Sequence, residues 1–137
     1  MRKWTFSALI ITTIFCVASN CENPFVEGFY RFYLKNNSKD TISFSYSLNY
    51  PDTSIVNIER YNVIRLYPSE RAPIDNKKKW EDVINKDIKG KKILIFIFSV
   101  VVDDTNWPKV RDNYLVKKRY GITADELKAM NYAISYP

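Results

Sequence analysis

Between residues 41 and 49 (TISFSYSLN) apolar and polar side chains alternate. Ile42, Phe44, Tyr46 and Leu48 fall on one side of an extended chain, and Thr41, Ser43, Ser45 and Ser47 on the other. Period two marks a half-buried strand. The aromatic-rich run 28–35 (GFYRFYLK) precedes it across the polar cluster 36–40 (NNSKD), so the pair predicts an antiparallel hairpin with one buried and one wet face. A third strand is expected within 61–67 (YNVIRLY), ended by Pro68, whereas 50–54 and 73–79 read as loops. Trp80, Val83 and Ile84 recur at spacings of three and four, which predicts a short amphipathic helix within 78–86.

The run 92–102 (KILIFIFSVVV) is almost continuously apolar and rich in β-branched and aromatic residues, the signature of a central strand covered on both faces. Trp107-Pro108 suits a helix start, with Asp104, Thr105 or Asn106 as its cap. A strand within 114–120 follows. Thr123 and Glu126 then satisfy the spacing of a capping box, Leu127 and Met130 supply an apolar side to that helix, and 132–136 (YAISY) predicts a closing strand. Strands outnumber helices in irregular order. The expectation is an α+β domain with a mainly antiparallel or mixed sheet and two or three short helices; a helix-decorated β-sandwich is the alternative. At 137 residues the chain has room for about one domain.

The first twenty residues have a different character. Arg2 and Lys3 precede the uncharged, mostly apolar run 4–17 (WTFSALIITTIFCV), and the small residues Ala18 and Ser19 follow it. That order is the order of a secretory signal peptide, and the run is shorter than the about 20 residues of a permanent membrane span. Ala18-Ser19-Asn20-Cys21 resembles the lipobox of bacterial lipoproteins, in which the cysteine is acylated and becomes the new N-terminus. The resemblance implies residues 1–20 as signal peptide, Cys21 as the lipidation site, 21–27 as tether and 28–137 as the globular domain. Ordinary cleavage after Ala18, giving a soluble secreted or periplasmic protein, is the alternative.

Composition narrows the chemistry. The chain contains no histidine, so Ser-His-Asp and Cys-His catalysis and His-ligated metals are excluded, and its two cysteines cannot build a four-thiolate site. Loss of Arg2 and Lys3 with the leader lowers the formal charge of +6 by two. The remaining excess lies in short runs, Lys77-Lys78-Lys79, Lys89 to Lys92 around Gly90, and Lys117-Lys118-Arg119. These read as solvated surface beside a bilayer or an anionic glycan layer, and no nucleic-acid module accompanies them. Asp103, Asp104 and Asn106 are weak candidates for Ca²⁺ ligation, against the reading of a strand-to-helix turn; they lack the spacing, Gly and distal Glu of an EF-hand loop. No cofactor is expected.

Aromatic residues are the surplus: 3 Trp, 10 Tyr and 8 Phe. Tyr30, Phe32, Tyr61, Tyr67, Trp107, Tyr114, Tyr120, Tyr132 and Tyr136 are the candidates for a platform that stacks on sugars or a partner protein, with core filling as the competing use. The C-terminal motifs, Thr123 through Asp125-Glu126-Leu127 to Tyr132 and Tyr136-Pro137, together with Leu34 to Ser38 and Tyr50-Pro51-Asp52-Thr53, resemble small lipoproteins of gut anaerobes. That resemblance implies an envelope protein, placed at the outer membrane, of a family without an assigned activity. Asp40-Thr41-Ile42 is similar to the O-glycosylation acceptor of the same bacteria. Two functional expectations follow: a lipid-anchored, non-enzymatic binding or structural module for a glycan or protein partner, or a lipid-anchored hydrolase built on a carboxylate pair.

Overall fold

A computed structural model describes residues 25–26 and 28–137. The signal peptide, Cys21 and most of the tether lie outside the described residues. Eight strands and three short helices follow in the order β1 (Phe25–Val26), β2 (Phe29–Asn36), β3 (Ile42–Ser47), β4 (Ile64–Leu66), β5 (Arg71–Asn76), α1 (Trp80–Asp82), β6 (Ile93–Phe98), α2 (Trp107–Asp112), β7 (Val116–Ile122), α3 (Ala124–Ala129) and β8 (Ala133–Tyr136). A turn of π-helix, Val83–Asp87, continues α1.

The strands form two sheets. In the first, β2 pairs with β5 on one edge and with β1 and β8 on the other, β8 being the one parallel neighbour; the second has the order β4-β3-β6-β7, antiparallel throughout. The α+β class with mostly antiparallel sheets and short helices is therefore the observed one. The predicted β2–β3 hairpin is not. The two strands belong to different sheets, and the polar cluster between them forms a corner. Asn36 is fully buried there; its amide donates to the Asp40 carbonyl at 2.8 Å and the Leu66 carbonyl at 3.1 Å, and its Oδ1 accepts from Ser38. A buried amide so placed leaves little polar capacity unmet and fixes where the chain changes sheet.

Phe32 and Leu34 from β2, Ala72 and Ile74 from β5, and Ile134 and Tyr136 from β8 meet Ile42 and Phe44 from β3 and Ile93, Ile95 and Ile97 from β6 in the main core between the sheets. The alternate residues of β6, Leu94, Phe96 and Phe98, join a second cluster with Ile55, Ile58, Val63, Val102, Trp107 and Val110. Thus β6 is buried on both faces, as its apolar run predicts, with β3 and β7 beside it.

That second layer also overturns the expectation of a wet serine face on β3. Ser43 and Ser45 are fully buried and Ser47 nearly so. Ser43 Oγ accepts from the Val102 amide at 2.8 Å, and Ser45 Oγ donates to the Asn62 carbonyl at 3.0 Å, so the hydroxyls hold the connecting segments onto the sheet. Replacing Ser43 with Ala leaves the buried Val102 amide without an acceptor. The expected loss is about 1–3 kcal/mol in urea unfolding. The stretch 73–79, expected as loop, contributes to β5: Pro73 sits opposite Tyr33 on a strand that pairs on one side only, and an edge tolerates the missing donor.

Candidate functional site

Trp80 opens α1 and is 1% exposed. Its indole N–H donates to the Tyr30 carbonyl at 3.1 Å, and its ring meets Phe32 edge-on at 4.8 Å and Tyr46 at 6.4 Å. These contacts seat α1 across one end of the sandwich, where β2 begins and β5 finishes. Tyr132 reaches the same place from the other end of the chain. After α3, Asn131 and Tyr132 both adopt left-handed backbone angles (φ 49° and 59°), and the Tyr132 amide and carbonyl are bonded to Leu127 and to the Tyr33 amide. The turn aims the phenol at α1, where its hydroxyl donates to the Glu81 carboxylate.

Tyr30, Lys79, Trp80, Glu81 and Tyr132 line a depression of about 260 Å³. That is below the about 300–1,000 Å³ of sites for drug-sized ligands, so it accommodates a single ring-sized group. The half-buried Tyr30 and Tyr132 and the buried Trp80 are its aromatic lining, and one carboxylate and one ammonium supply polar partners. Burial, followed by the bond to Glu81 and its charge, pushes the Tyr132 phenol up to about 12. Because the raised value favours the neutral phenol in the folded protein, its contribution to stability is complete below the ordinary tyrosine value near 10 and lost as pH rises toward 12. A phenolate absorbance titration should therefore show a late-ionising tyrosine that Tyr132→Phe removes. Desolvation also raises Tyr46, which should remain late in that variant.

Several other carboxylates are committed elsewhere. Arg31 holds Asp75 through two bonds of 2.5 and 2.7 Å and keeps its carboxyl below the usual range. Lys86 pairs with Asp82 at 2.7 Å and Lys78 with Asp87 at 2.8 Å. Glu126 completes the expected capping box with Thr123. Every resolved carboxyl shift among the described residues is downward, at Asp52, Asp75, Asp82, Asp103 and Glu126. A general acid requires the opposite displacement.

The weak metal candidates Asp103, Asp104 and Asn106 serve their own turn. Asp103 Oδ1 accepts from the Thr105 and Asn106 amides and the Thr105 hydroxyl, Asn106 Oδ1 accepts from the Asp103 amide, and Asp104 meets Arg60 at 3.1 Å. The side chain that satisfies the first amides before α2 is thus Asp103, one position earlier than the expected caps; Asn106 makes no capping bond. Among the described residues no group of three or more acidic or cysteine side chains converges to hold a metal.

Of the nine aromatics proposed for a platform, Tyr30 and Tyr132 come together here. Phe32, Trp107 and Tyr136 fill the cores; Tyr61, Tyr67 and Tyr114 are exposed at separate places, and Tyr120 is half-buried beside Lys118. The candidates do not form one row on a sheet face. Trp80, legible as the apolar side of a helix, and Glu81 are site residues that the sequence did not single out. In the acceptor-like triplet Asp40 is exposed, Thr41 half-buried and Ile42 buried. No protein-family model matches the chain, and neither a curated protein nor a solved structure is similar to it.

Proposed function

We propose that the chain is a lipid-anchored protein of the cell envelope, held at the outer membrane by an acylated Cys21, that binds a glycan in the Tyr30–Tyr132 depression without reacting with it. The reading rests on one arrangement: Tyr30, Tyr132 and the buried Trp80 line a single depression together with Glu81 and Lys79. Tyrosine faces suit the C–H face of a sugar ring, while a carboxylate oxygen and an ammonium match its hydroxyls. The envelope location comes from the leader and lipobox-like sequence. Among the described residues no helix is long and apolar enough to cross a membrane. A hydrolase would need two convergent carboxyls, one of them held protonated; this depression has a single carboxylate, Glu81, already engaged by Tyr132.

The test is a glycan array with the exported protein, beside Tyr30→Ala. Saccharide binding weakened roughly tenfold by the substitution is expected. Binding to no glycan, with capture of one envelope protein instead, would move the reading to a protein partner. For the anchor, labelled palmitate should enter the wild type and not Cys21→Ala; equal labelling would sink lipidation.

A further inference from the structure

The end of the sandwich that carries this depression also carries a surface suited to a bilayer. Phe25, Tyr30 and Asn76 stand side by side on β1, β2 and β5, so the backbone at Phe25 and that at the start of the Lys77-Lys78-Lys79 run are about 10 Å apart across the sheet. Phe25 is 47% exposed and its ring lies 5.1 Å from that of Tyr30, whereas Phe29, next to Tyr30 on β2, projects from the opposite face of the sheet. The three lysines are exposed, and with Tyr30, Asp82, Lys86 and Asp87 they border an open hollow. Lys78 and Lys86 are ion-paired with Asp87 and Asp82, whereas among the described residues neither Lys77 nor Lys79 makes a close ion pair, the charge of Lys79 acting on Asp82 from farther off.

We propose that Phe25, Lys77 and Lys79 form a docking face for an anionic lipid bilayer, the aromatic ring entering the interface and the lysines meeting the headgroups. The location of the bilayer rests on the Cys21 anchor. From Cys21 to Phe25 the chain makes four steps and can span at most about 14 Å, so an acyl group on Cys21 brings this end of the domain to the membrane surface. Tyr30 and Lys79 belong to both surface and depression, so docking sets the depression at headgroup level, and the sugar it takes is one displayed at the bilayer.

Lysine acetylation of the exported full chain, read by mass spectrometry, tests the face on vesicles of phosphatidylcholine alone or mixed with phosphatidylglycerol. Lys77 and Lys79 should react at least about fivefold more slowly on the anionic vesicles, and high salt should restore them. Lys109, on the helix covering the far side of the second sheet, should be unchanged. In K77E/K79E the slowing at Lys78 and Lys86 should disappear. Equal rates on both vesicle types, or equal slowing at Lys109, would overturn the docking face. The mass of the N-terminal peptide reports the anchor separately: protected lysines with unacylated Cys21 would leave docking standing and remove the anchor, and acylated Cys21 with unprotected lysines would do the reverse.

Discussion

Phe96→Ala is expected to lower stability by about 3–5 kcal/mol, measured by urea unfolding. Phe96 is fully buried on the face of β6 opposite the main core, against the segment holding Ile55, Ile58 and Val63 and against α2 through Trp107 and Val110. Small domains are stable by about 5–15 kcal/mol, so the loss is a large fraction of the total. The size of the effect tests whether the second cluster is a true core layer. If 55–63 and α2 were only loosely applied to the sheet, the change would fall below about 1 kcal/mol, because the vacated space would open to water.

Trp80→Ala should cost as much, about 3–5 kcal/mol, and abolish glycan binding as well. Its ring packs on Phe32 and Tyr46, and its N–H satisfies the Tyr30 carbonyl, so removal unseats α1 and with it Glu81 and Lys79. Trp80→Phe separates the contributions. It keeps an aromatic in place and deletes the donor, for an expected cost of about 1–3 kcal/mol from the unmet carbonyl plus a smaller packing loss. A Phe variant as damaged as Ala would show that the hydrogen bond, rather than packing, holds the helix.

Where the sequence was informative, a local pattern coincided with the tertiary demand. The unbroken apolar run around residues 93–98 has one physical solution, a strand between two layers, and β6 is that strand. The Thr123/Glu126 box needs nothing beyond its own turn. The misreadings have a common cause: a second partner that short-range pattern does not encode. Serines at alternate positions of β3 look solvent-facing until 50–63 and the segment at Val102 fold over them and use their hydroxyls. The 36–40 cluster resembles a hairpin turn until Asn36 is buried and bonded to Leu66, thirty positions away. Pro73 disguises β5 because its edge position is a property of the whole sheet.

The candidate site is non-local in the same way. Tyr30, Glu81 and Tyr132 arrive from β2, α1 and the turn after α3, and the bond between Glu81 and Tyr132 joins residues 51 apart. Aromatic surplus could nominate two of the three; no spacing rule nominates the carboxylate.

The central claim is that this depression binds a sugar, and Trp80 in its lining is a built-in reporter. In exported Trp107→Phe protein, Trp80 is the tryptophan of the folded domain, and its fluorescence should change saturably on titration with polysaccharide extracted from the envelope. Glu81→Gln should shift the midpoint to higher concentration. A signal that stays flat across the titration, with the variant folded as judged by its urea transition, would contradict the account.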